Sequence, residues 1–129
     1  MDVLFINPGN AKKIYQDLAE DYSAIETPTW ALLLAQSCRS VGYEVGILDA
    51  NAERLDDEEV AKRVSKINPR LICFVVYGQN PNSGTVNMSG TVALAAAIKQ
   101  ANVLSPISVV GSHVQALPYE TLEREKDID

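Results

Sequence analysis

One histidine, two cysteines and no long apolar run leave this chain of 129 residues few routes to chemistry of its own. A single imidazole, His113, cannot build a metal site without further soft or acidic ligands close by. Its neighbour Ser112 is adjacent in sequence, whereas a nucleophile would face its base. Cys38 falls in a helical stretch and Cys73 inside an apolar strand, and no Cys-x-x-Cys spacing occurs. Both therefore read as buried thiols and not as a disulfide or metal pair. Every apolar stretch is shorter than the roughly 18 residues that a membrane span needs. Met1-Asp2 opens with an acid, and the first apolar run stops at Asn7-Pro8, unlike a secretory leader. An intracellular, cytoplasmic location is the expectation. Basic residues are few, 11 against 17 acidic ones, for a net charge of −6. That balance argues against generic nucleic-acid binding, whose affinity comes from lysine and arginine neutralising phosphates.

What the chain does have is three apolar runs that each end in a polar or glycine-containing loop. They are Val3-Leu4-Phe5-Ile6 before Asn7-Pro8-Gly9-Asn10, Leu71 to Val76 before Tyr77-Gly78-Gln79-Asn80-Pro81, and Ile107-Ser108-Val109-Val110 before Gly111-Ser112-His113. The spacing predicts strands at 2–6, 44–48, 71–76 and 106–110, with helices at 29–41, 57–67 and 86–101 and a short one from about 118. Strand–helix alternation of this kind gives a parallel sheet with helices on both faces and right-handed crossovers. The fold expected is therefore α/β, a Rossmann-like, flavodoxin-like doubly wound sheet of order 2-1-3-4. Its ligand edge is the carboxyl end of the strands, beside the switch between the first and third. Gly42 is placed to end the first helix. Asp56 and Glu59 stand three apart as a helix cap, with Val60, Val64 and Ile67 spaced for one buried face. Val92, Ala95, Ala96 and Lys99 mark a small-residue face on the third helix.

Two features depart from a simple fold. The stretch from Asn7 to Pro28 is long for a strand–helix loop, and loops of that size are usually functional or mobile. Asp127-Ile128-Asp129 reads like the entry to a fifth strand, cut off there, which implies that residues 1–129 are one domain of a longer protein.

Several constellations carry more than one reading. Asp49 either accepts bonds from a ribose or simply opens the following turn. Ser83-Gly84-Thr85 either meets a phosphate or amide or merely caps a helix. Trp30 and Tyr77 either flank a flat ligand or leave Trp30 in the helix–sheet core. His113 is either a contact at the sheet's open edge or a loop imidazole bound to backbone. Gly-x-Gly-x-x-Gly is absent after the first strand, which disfavours dinucleotide binding. A phospho-receiver would need acids where Asn7 and Tyr77 stand.

Taken in order, these stretches resemble the N-terminal cobalamin-binding domain of B12-dependent radical S-adenosylmethionine proteins. The resemblance rests on Val3 to Pro8, Glu26-Thr27-Pro28-Thr29-Trp30-Ala31-Leu32-Leu33-Leu34-Ala35, and Arg39-Ser40-Val41-Gly42-Tyr43-Glu44-Val45 with Leu48-Asp49-Ala50. It continues through Asn68-Pro69-Arg70-Leu71-Ile72, Tyr77 to Pro81, and Val109 to Pro118. It implies a corrin over the carboxyl edge of the sheet and a nucleotide tail lodged beneath, where Gly78, Gly111, Ser112 and the alanine-rich helix leave room. By position it implies contacts from Asn7, Pro8, Tyr77, Gly78, Gln79, Asn80, Ser83, Thr85, Gly111, Ser112 and His113. Another class of B12 domains supplies a cobalt-binding histidine from Asp-x-His-x-x-Gly after the first strand. Here that position reads Asn7-Pro8-Gly9-Asn10-Ala11, which suits a cobalt that must reach its low-valent, four-coordinate state. The resemblance further implies S-adenosylmethionine and an iron–sulfur cluster in a downstream domain, because the Cys-x-x-x-Cys-x-x-Cys triplet does not occur in this chain. Rival readings are a cofactor-free docking domain using an uncovered sheet edge and a nucleotide-binding domain using Ser83-Gly84-Thr85.

Overall fold

The computed structural model describes residues 1–9, 25–77 and 81–129. Within them lie four strands, β1 (Val3–Asn7), β2 (Val45–Asp49), β3 (Leu71–Val76) and β4 (Ile107–Gly111). They alternate with helices α1 (Thr29–Ser40), α2 (Asp57–Ile67) and α3 (Pro81–Gln100), and two short helices follow, α4 (Ser112–Ala116) and α5 (Pro118–Arg124). The sheet runs in the order β2-β1-β3-β4 and every pairing is parallel. This is the doubly wound, flavodoxin-like order that strand–helix alternation predicts.

The alternation of side chains along each strand builds two cores. Leu4, Ile6, Leu48, Ile72, Phe74, Val76 and Ile107 face α2 and α3, which contribute Val60, Ala61, Val64, Leu94, Ala95 and Ile98. Phe5, Cys73 and Val75 face the other way, onto Ala31 and Ala35 of α1. β3 is thus covered on both faces, which is why its sequence is an unbroken apolar run. Cys73 is buried and Cys38 half-buried, and both thiols are free. Burial pushes the Cys73 thiol above the usual cysteine range.

Local signals set the ends of the elements. Asp56 accepts from the backbone N–H of Glu59 at 2.8 Å, and Glu59 accepts in return from the N–H of Asp56 at 3.1 Å. Asn68 then turns left-handed at φ 48° and ends α2. Gly42, at φ +96°, closes α1 with its N–H on the Arg39 carbonyl at 3.0 Å.

The structure differs from the sequence reading at four points. Three strands extend one residue further, so Asn7, Asp49 and Gly111 finish strands instead of opening loops. Their backbones are still within the parallel ladder, as the pairs Asn7↔Asp49 and Val76↔Gly111 show. α3 begins at Pro81, five residues before the expected start, because proline suits the first position of a helix. Ser83-Gly84-Thr85 is consequently a helical turn and not a capping loop. Ile67 is 37% exposed, since α2 buries Val60, Ala61 and Val64 and stops before another turn can fold down. On α3 the buried face is Met88, Thr91, Leu94, Ala95 and Ile98, while Val92, Ala96 and Lys99 flank it.

Asp129 lies beside the start of β4. Its N–H donates to the Ile107 carbonyl at 2.9 Å, and its carboxylate accepts from the Ile107 N–H at 2.9 Å and from Lys99 Nζ at 2.8 Å. Ile128 is buried in the core next to it.

Candidate functional site

Parallel strands bring all their carboxyl ends to one edge, and the register fixes what stands there. Asn7 lies opposite Asp49, and Gly111 lies opposite Val76, with Tyr77 following directly. This rim collects the polar residues that the sequence concentrates after its apolar runs.

At its β1–β2 end the rim is internally tied. Asn7 Nδ2 donates to Asp49 Oδ1 at 2.8 Å, and the same oxygen accepts from the Ala52 N–H at 3.0 Å. Asp49 therefore opens its turn, the plainer of its two sequence readings. Pro8 is buried and Asn7 half-buried.

In the centre, Tyr77 and Trp30 stack on each other with ring centroids 4.8 Å apart and planes 23° from parallel. Trp30 comes from the first turn of α1 and stays 52% exposed, so it is not the core residue that one sequence reading allowed. The rings face one another and no gap for a ligand separates them.

The β4 end is the most strained. Gly111 has φ +154° and ψ 174°, a conformation that essentially only glycine adopts. A Cβ there would also collide with the Val76 carbonyl oxygen. Ser112 follows, and its Oγ is buried without a hydrogen-bond partner. That hydroxyl sits where a Cβ on Gly84 would fall, so α3 and α4 meet with only a glycine between them. Thr85 Oγ1 and His113 Nδ1 lie 3.1 Å apart on the outer side of this contact. Sequence reasoning named Gly84 only within Ser83-Gly84-Thr85, as a phosphate or amide contact or a helix cap, and not as a close-packing position. A lone glycine within a helical run was its signal, since it costs about 1 kcal/mol relative to alanine unless close packing needs it.

From Tyr77 and Gly111 a cleft of about 460 Å³ opens along the outer edge of β4, past Val114, Gln115 and Leu122 to Asp129. That is within the usual range for small-molecule sites. Open space thus lies outside β4, while the glycines at 84 and 111 serve close approach. Gly78, Gln79 and Asn80 lie outside the described residues, as do residues 10–24 of the long stretch after β1 and the side chain of Ser83. Among the described residues, no three histidine, cysteine or acidic side chains stand together as metal ligands. No described helix is long and apolar enough to cross a membrane.

A family model of the B12 binding domain matches residues 15–129, nearly the whole chain. The chain belongs to the B12-binding domain family. No curated protein and no solved structure matches it significantly.

Membership makes the chain a cobalamin-binding module, and the rim's chemistry fits that group. Ser112 Oγ is a buried hydroxyl left unpaired, at a cost of about 1–3 kcal/mol unless a ligand satisfies it. The aromatic pair offers an apolar surface suited to a flat macrocycle. Cobalt held within a corrin also needs no cluster of protein ligands. The match begins after β1, so the roles of Asn7 and Pro8 rest on their place at the rim.

Proposed function

We propose that this chain is the cobalamin-binding module of a radical S-adenosylmethionine enzyme of methyltransferase type. In this reading residues 1–129 are one domain of a longer cytoplasmic protein, and a downstream domain carries the iron–sulfur cluster and S-adenosylmethionine. The observation that carries it is the end of β1. Where one class of B12 domains supplies a cobalt-binding histidine, this chain has Asn7-Pro8-Gly9, and the Asn7 amide is spent on Asp49. The only histidine of the sequence lies at the far end of the rim, after β4. A cobalt without a strong axial nitrogen would reach its low-valent state more readily, and that state is the nucleophile that takes up a methyl cation from S-adenosylmethionine.

Bound cobalamin supplies the methyl-carrying cobalt; the chain supplies binding, orientation and shielding. Asn7 and Pro8 would border the corrin at one end of the rim and Tyr77 at its centre, while Gly78, Gln79 and Asn80 are assigned to it by sequence position alone. Gly111, Ser112 and His113, with Thr85 from α3, would hold the nucleotide tail, and Ser83 is assigned to it by sequence position alone. Ser112 Oγ gives its unpaired hydrogen bond to a polar group of the tail, and Thr85 orients the His113 ring through Nδ1.

Mixing the chain with hydroxocobalamin, desalting it and recording a visible spectrum tests this directly. Retained corrin absorbance of base-off shape is the expected result. Loss of all corrin on desalting, with a thermal shift on adding ATP or NAD instead, would overturn it.

A further inference from the structure

We propose that Trp30 and Tyr77 act as one stacked platform that meets the lower face of the corrin, so that the protein presents carbon and not a donor atom to cobalt. This rests on the cobalamin reading above and deepens it. β3 is an inner strand, between β1 and β4, and Tyr77 follows its last residue, so the ring stands near the middle of the rim. Trp30 reaches it from α1 on the opposite side of the connection, and the two rings overlap at 4.8 Å. A tryptophan left 52% exposed at a sheet's ligand edge is an apolar surface awaiting cover. Family membership specifies that cover as a corrin.

Among the described residues, the donors nearest in the fold are engaged or set aside. The Asn7 amide holds Asp49. His113 lies beyond β4 with Nδ1 against Thr85. Cys73 is buried in the sheet, its thiol held neutral by its surroundings, and Cys38 packs in the same apolar cluster. Stacked aromatic faces gain from a flat partner and exclude water from it.

The test uses hydroxocobalamin loaded on the wild-type chain and on Tyr77→Ala, Tyr77→Phe and Trp30→Ala, reduced to the cobalt(II) form with ascorbate, too weak a reductant to reach cobalt(I). Electron paramagnetic resonance reads the axial ligand, and circular dichroism confirms the fold of each variant. The platform predicts a wild-type signal with neither nitrogen splitting nor axial water, unchanged in Tyr77→Phe. Tyr77→Ala and Trp30→Ala should admit water to the cobalt and weaken retention about tenfold or less. Nitrogen splitting in the wild type, abolished by His113→Ala, would give the axial position to His113 and overturn the platform. So would a signal that changes in Tyr77→Phe, which marks the phenol oxygen as a ligand, or one unaffected by both alanine variants. In all three cases retention leaves the cobalamin reading standing, whereas no retention by the wild type removes both.

Discussion

Helices α2 and α3 pack side by side on the same face of the sheet, yet their first turns meet different surroundings. α2 starts with a reciprocal cap, carries acids in its first turn and stops at a left-handed asparagine. Each device satisfies backbone groups or the helix dipole locally. α3 starts at a proline beneath the ligand rim, places Gly84 in its first turns and presses it against an unpaired serine hydroxyl. A glycine inside a helix costs about 1 kcal/mol relative to alanine. Natural chains break such rules mainly where binding demands it, so the contrast sets the first turns of α3 in the candidate site and α2 in the scaffold.

The largest effect that would probe this contrast comes from two glycines. Gly111→Ala should destabilise the fold by about 3–5 kcal/mol, adding backbone strain to a clash with the Val76 carbonyl. Gly42→Ala, also at positive φ but with open space around its Cβ, should cost about 1–2 kcal/mol. Urea titration reads both midpoints, and equal losses would show that the rim is no tighter than an ordinary helix end. A bulky residue at 111 would for the same reason break the strand end before it filled any ligand space.

On the scaffold side, Asp56→Ala should lose about 1 kcal/mol by removing the cap, with corrin retention unchanged. Ser112→Ala should do the reverse. Relieved of a buried hydroxyl without a partner, the ligand-free chain should gain up to about 1 kcal/mol in thermal or urea unfolding and hold cobalamin less well. A loss of stability on both counts would show that the hydroxyl serves packing alone.

The smallest effect concerns Asp129. The Lys99 ammonium and then the Ile107 N–H hold its carboxyl below the usual range. A carboxyl with a depressed folded-state pKa contributes stability at neutral pH that disappears as pH falls through that pKa, below about pH 4. The pair is largely exposed, so Asp129→Asn should cost under about 1 kcal/mol at pH 7 and nothing at pH 3, as urea midpoints at the two pH values would show.

The fold was legible because it rests on periodicity. Continuous apolar runs announced doubly covered strands, and Gly42 and Asp56 marked helix ends with signals that need only a few residues. The rim was legible as a place, since three polar loops followed three strands. Its internal arrangement was not. That Asn7 would turn to Asp49, that Trp30 would lie on Tyr77, and that Gly84 would meet Ser112 each depend on residues 28 to 47 positions apart in sequence. No local pattern encodes such pairings, and the start of α3 was misplaced for the same reason. Glycine in a first turn looks like a loop until the packing that requires it is seen.

Hydrogen–deuterium exchange of the whole chain with and without hydroxocobalamin tests the central claim most directly. The account predicts slowed exchange at Tyr77, at Gly111 to His113 and in the first turns of α3, with α2 unchanged. Retained corrin with protection confined to the opposite edge of the sheet, or spread evenly over both helices, would contradict it.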